Sequence, residues 1–259
     1  MRESENILAS LRARIGAIEG TKPAVGGGLF TLGLAALDAR LGGGLPRGRL
    51  HELFAAEAGD QATLSAFALL LTMRIGTGPV LWIRQDKAIR QSGLLHGPGM
   101  KDLGFDPARL IEVLAPDEQA LIRAAGDAVR CPEVSTVLIE PWKAARSVDL
   151  TVSRRLVIAA EKSGVTALML RAEADPAPSA AHSRWEIRAI PAVPLDANAP
   201  GHPAFEIELI RHRGGLANFR QTLEWDRDHS AFREPALSGA LVSIPARGSP
   251  SPQPARLSA

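Results

Sequence analysis

The 259 residues carry 30 Lys plus Arg against 28 Asp plus Glu, a net charge of +2, with 46% hydrophobic and 4% aromatic side chains. A chain of this length can bury one sizeable core with short appendages, and so even a charge balance gives no electrostatic footprint for independent nucleic-acid binding. A single cysteine, Cys131, excludes an internal disulfide and fits a reducing compartment; with no signal-peptide core and no apolar run near about 18 residues, a soluble cytoplasmic protein is expected.

Residues 3–19 place Ile7, Leu8, Leu11, Ile15 and Ile18 at helical spacing, with Arg12, Arg14 and Glu19 on the other side. That pattern predicts an amphipathic helix within an N-terminal segment 1–20. Such a stripe must be buried against the chain's own core or a partner, which makes Leu8, Leu11 and Ile15 candidate partner-binding positions. A Gly/Pro-rich linker, 21–29, separates this segment from a main domain expected over 30–228.

The most informative stretch comes next. Gly42, Gly43, Gly44, Pro46 and Gly48 form a turn able to enter positive φ, followed by an apolar strand from Leu50 to Ala56 and a mostly apolar helix over 61–75. This is the frame of a phosphate-binding loop, G-x-x-x-x-G-K-[ST]. In that motif glycines let backbone N–H groups close round phosphates, Lys reaches the β and γ phosphates and the hydroxyl holds Mg²⁺. Here Ala55, Asp60, Gln61 and Ala62 fill the four defining places, with Glu57, Gly59 and Thr63 between or beside them. Asp60 is expected to cap the helix N-terminus, where its charge would oppose a phosphate. Two like charges about 4 Å apart repel by about 4 kcal/mol at an effective dielectric of about 20, roughly a thousandfold in affinity.

Beyond the loop, short apolar runs at 80–84, 110–114, 136–140 and 165–170 alternate with helical segments near 87–95, 117–130 and 148–163. The alternation predicts an α/β fold with right-handed crossovers and a mostly parallel twisted sheet flanked by helices. From Trp185 the period changes to two, with Phe205, Ile207 and Leu209 and then Phe219, Leu223 and Trp225 facing one way. Antiparallel strands are therefore expected to close the sheet. Residues 229–259, rich in Pro, Ser, Ala and Arg, read as a flexible tail. A short apolar stretch there, containing Leu241 and Ile244, is a candidate docking segment.

Chemistry in such a sheet gathers at the carboxyl ends of the parallel strands. Asp86 and Glu140 sit there, in the places where an active ATPase would orient its water and hold Mg²⁺. Without the loop Lys and Thr, both are expected to be solvated, vestigial acids. Trp142, Lys143 and Arg146 follow Glu140 and could stack on and neutralise a nucleic-acid strand; the competing reading is solvated cations with Trp142 covering the sheet edge. The six histidines, at 51, 96, 182, 202, 212 and 229, lack metal-ligand spacing, so no metal is expected; with no G-x-S-x-G elbow and no loop Lys or Ser/Thr, no catalytic residue is expected either.

Thr-Leu-Gly-Leu-Ala-Ala-Leu-Asp (31–38), Gly-Gly-Leu-Pro-Arg-Gly-Arg-Leu-His-Glu-Leu (43–53) and Leu-Ile-Glu (138–140) together resemble the RecA-like core. The degenerate loop and Ser183-Arg184-Trp185-Glu186-Ile187 are more similar to one branch of it, the ImuA family, sometimes filed with SulA-like division inhibitors. The resemblance implies a non-catalytic accessory protein of damage-induced mutagenic translesion synthesis, without cofactor. Its implied partners are an ImuB-like inactive Y-family polymerase relative, RecA and an error-prone C-family polymerase, with DNA met only inside a complex and no membrane. A divergent repair ATPase and a SulA-like division inhibitor are the alternatives.

Overall fold

The computed structural model describes residues 27–195, 199 and 201–235. The expected N-terminal helix with Leu8, Leu11 and Ile15, and the tail positions Leu241 and Ile244, lie outside the described residues.

The described chain opens on a small antiparallel ribbon, β1 (Leu29–Phe30) and β2 (Leu45–Pro46), around helix α1 (Ala35–Arg40). Gly42, Gly43, Gly44 and Gly48 all have positive φ, as the turn reading requires. A Cβ on Gly44 would collide with the Phe30 carbonyl oxygen, so glycine there is set by both conformation and space. Asp38 explains the Thr-Leu-Gly-x-x-x-x-Asp pattern structurally: its carboxylate accepts from Leu32 N–H at 2.8 Å and Gly33 N–H at 3.1 Å, closing the ribbon onto α1.

Nine strands form the main sheet. They are β3 (Leu50–Ala55), β4 (Val80–Gln85), β5 (Leu110–Ala115), β6 (Thr136–Glu140), β7 (Thr166–Arg171), β8 (Ser183–Ala189), β9 (Ala204–His212), β10 (Phe219–Asp226) and β11 (Ala231–Arg233). Their order is β11-β10-β9-β8-β3-β7-β6-β4-β5. Strands β8, β3, β7, β6, β4 and β5 pair in parallel, and β8 through β11 pair antiparallel. The parallel strands β3, β6 and β7 are buried nearly throughout because helices cover both faces; β6 and β7 read as mostly apolar runs, whereas β3 also buries His51 and Glu52.

Helix α2 (Gln61–Ile75) covers one face, over β3, β7 and β8. It packs with Trp82, Leu138, Leu168, Trp185 and Phe205 in the larger core. Helices α5 (Glu118–Ala128) and α6 (Leu150–Ser163) cover the other, around Ile83, Val137, Ile139 and Met169. Two short helices, α3 (Asp86–Ser92) and α4 (Gly97–Asp102), fill the crossover between β4 and β5.

One boundary differs from the sequence expectation. Strand β11 extends the sheet past residue 228, where the tail was expected to begin. Phe232 is 1% exposed and packs its ring against Phe67, Phe205 and Trp225 with centroids 4.9 to 6.1 Å apart. Its N–H donates to Leu32 O at 3.0 Å, which ties the two ends of the described chain together. The aromatic burial outweighs the ordering cost of three residues that composition alone assigns to a tail.

Candidate functional site

The loop after β3 is folded as a 3-10 turn, Ala58–Asp60, leading into α2 at Gln61. None of residues 55–63 has a positive φ, Gly59 included. The loop therefore lacks the alternation of right- and left-handed residues that turns successive N–H groups into an anion cradle. It is instead stitched sideways to β8. Ala56 N–H donates to Ile187 O at 2.9 Å, Glu57 pairs with Arg188, and the Asp60 carboxylate accepts from Ala189 N–H at 2.9 Å.

That last bond corrects the expectation for Asp60. It stands at the N-cap position of α2, but its side chain makes no capping bond and is turned to β8. Asp60 is 8% exposed, so a buried carboxylate lies at the positive helix end where a phosphate would otherwise approach. Gln61 and Thr63 are half-buried and Ala62 is exposed; neither Gln61 nor Ala62 carries a cation or hydroxyl for phosphate or Mg²⁺.

Glu140 is the second correction. It was expected to be solvated and is 2% exposed. Alternation in β4 puts Trp82 and Arg84 on one face, and the β4–β6 register places Arg84 directly beside Glu140. Arg84 Nε donates to Glu140 Oε2 at 2.8 Å, and Trp82 Nε1 donates to the same oxygen at 2.9 Å. Arg84 also reaches Glu112 Oε1 at 3.1 Å. The carboxylate at the end of β6 is thus paired from within the chain through Oε2. Asp86 does keep a solvated position, paired with Arg90 one helical turn on at 2.8 Å.

The basic rim is divided by the structure. Trp142 N–H donates to Gln85 Oε1 at 3.0 Å, and Lys87 and Lys143 place their ammonium groups 5.3 and 4.7 Å from the Trp142 ring centroid. Trp142 is already engaged by the chain's own cations. Arg146 is exposed nearby. Arg171 is 6% exposed and donates to Ala144 O at 2.8 Å, while Arg84 faces Glu140; neither belongs to a solvent-facing cationic strip. A further buried pair, Arg184 to Glu52 at 2.9 Å, joins β8 to β3.

Three histidines meet at the opposite end of the sheet. His182 lies edge-on to His51 and His212, with centroids 5.9 and 4.8 Å apart. His51 bonds Ser183 Oγ at 2.7 Å and Pro46 O at 3.1 Å. Burial pushes His51 down to about 4 and His182 to about 2, and lowers His212 as well. They are neutral packing groups, and among the described residues no His/Cys/Asp/Glu group is arranged to hold a metal. Sequence reasoning missed the roles of Trp82, Arg84, Glu52 and Arg184. Alternation could have placed Arg84 on the Trp82 face, but only strand order brings it to Glu140.

No family model matches the chain. Protein ImuA of Caulobacter vibrioides strain NA1000 / CB15N is 36% identical over 191 residues, spanning 67% of this chain and 74% of that protein. The protein of the same name from strain ATCC 19089 / CIP 103742 / CB 15 gives the same values. A crystal structure of the RadB recombinase superposes with a TM-score of 0.53 over 80% of this chain and 99% of that one, at 16% identity. The likeness to RadB establishes a RecA-like fold and nothing finer. By its similarity to Protein ImuA along most of both sequences, the chain belongs to the ImuA family.

Proposed function

We propose that this protein is a non-catalytic RecA-like accessory factor of the ImuA/ImuB mutagenesis system, acting by contact in damage-induced translesion synthesis. The observation that carries the reading is the pair of internal substitutions for ATP chemistry. A buried Asp60 carboxylate stands at the phosphate end of α2, and Arg84 occupies the Glu140 carboxylate that would hold Mg²⁺. Asp60 is bonded to β8 and Glu140 Oε2 accepts from both Arg84 and Trp82, so each carboxylate already has a partner within the chain.

The contact surface is proposed to engage an ImuB-like polymerase relative first, with RecA and the error-prone polymerase joining through the assembly. Residues Leu8, Leu11, Ile15, Leu241 and Ile244 remain candidates for that contact, and Trp142, Lys143 and Arg146 for DNA inside the complex. Co-purification of the purified chain with its ImuB-like partner tests the reading. Complex formation should be unchanged by addition or removal of ATP and Mg²⁺, and by Gln61→Ala. A complex that forms only with ATP and Mg²⁺ would overturn it.

A further inference from the structure

On the face of the sheet opposite the degenerate loop, α5 and α6 enclose a continuous groove with cavities of about 630 and 310 Å³ that share Arg130 and Arg155. Four cations line it, Arg123, Arg130, Arg155 and Lys162, against one carboxylate, Asp127. Asp127 and Arg130 form an exposed helix pair at 3.3 Å, worth little in water. Glu161 does not add to the acids, because it is bonded to Arg49 at 2.7 Å. The side chains of Arg123, Arg155 and Lys162 have no hydrogen-bond or ion-pair partner among the described residues.

The floor is apolar. Ile158 is 65% exposed on a helix whose neighbouring Leu156, Val157, Ala159 and Ala160 are buried, so it breaks the amphipathic pattern of α6. Ile158, Pro132 and Ala159 form the apolar part of the larger cavity, and Ile122, Val152 and Leu156 that of the smaller. From Val152 to Lys162 the groove follows about three helical turns, roughly 15 Å.

We propose that this groove is a docking site for an acidic amphipathic helix of another protein, its carboxylates meeting the four cations and its apolar stripe covering Ile158. Neither segment outside the described ends is acidic in its side chains. Residues 1–26 contain four cations and three carboxylates, and residues 236–259 contain Arg247 and Arg256 with no carboxylate. A nucleic-acid strand fits less well, because no aromatic side chain lines the groove to stack a base and its floor is aliphatic. A helix-in-groove contact uses both features. The site stands apart from the nucleotide question, since it lies across the sheet from Asp60 and Glu140.

The test uses the full chain without nucleotide and three fluorescein-labelled probes: a helical peptide with one leucine stripe and glutamates elsewhere, the same peptide with glutamines for glutamates, and oligo(dT). Anisotropy should show saturable binding of the acidic peptide, weakened about tenfold or more by Arg155→Glu with Lys162→Glu, and also weakened by Ile158→Ser. The glutamine peptide should bind far less. These side chains are exposed or at the groove surface, and circular dichroism checks that the variants keep their fold. Absence of saturable peptide binding, or binding indifferent to these variants, would overturn the proposal. So would oligo(dT) binding that the charge reversal abolishes while the peptide fails to bind.

Discussion

At the end of β6, the Glu140 carboxylate is buried and engaged from within the chain. Arg84 and Trp82 both donate to Oε2. The pair is 2% exposed on both sides, so neither charge is screened by water. Replacing Arg84 by Ala should cost about 3–5 kcal/mol by leaving a buried charge uncompensated, and adding Glu140→Gln should recover part of that loss. Urea denaturation of the two single variants and the double variant measures it. Strictly additive losses would mean that the two residues do not act as a pair. Sequence reading placed Glu140 at its strand end correctly but expected it to be solvated, since the partner comes from β4, 56 residues away. Asp60 was misjudged for a similar reason: its partner, Ala189, is 129 residues on.

The strands themselves were legible because burial on both faces writes them as short, mostly apolar runs, as at Thr136–Glu140 and Thr166–Arg171. The change to period two from Trp185 likewise announced the antiparallel strands. What escaped were elements too short to show a period: the β1–β2 ribbon, α4 with its Gly-Pro-Gly start, and β11, which is fixed by one aromatic. The junction of β3, β8 and β9 carries a further consequence. His51, His182 and His212 pack there with lowered affinities for protons, so the unfolded chain takes up protons before the folded one does. Their contribution to stability is complete above about pH 6.5 and is lost as pH falls below it; for His51 the loss reaches about 3 kcal/mol by about pH 4. A urea midpoint that stays flat between about pH 7 and 5, before most carboxylates titrate, would contradict this.

Across the whole molecule, the sheet order and the helices on both faces make a RecA-like fold, and the groups at its strand ends are engaged by contacts within the chain. The loop lacks a left-handed residue, Asp60 is turned to β8, and Glu140 is held by Arg84. This account is tested most directly by titrating the purified chain with a fluorescent ATP analogue and Mg²⁺, alongside a variant carrying Asp60→Gly, Gln61→Lys and Ala62→Thr. The native chain should show no saturable binding up to about 1 mM, an interaction weaker than about 4 kcal/mol. Micromolar binding by the native chain, with Mg²⁺-dependent turnover lost in Glu140→Gln, would contradict it.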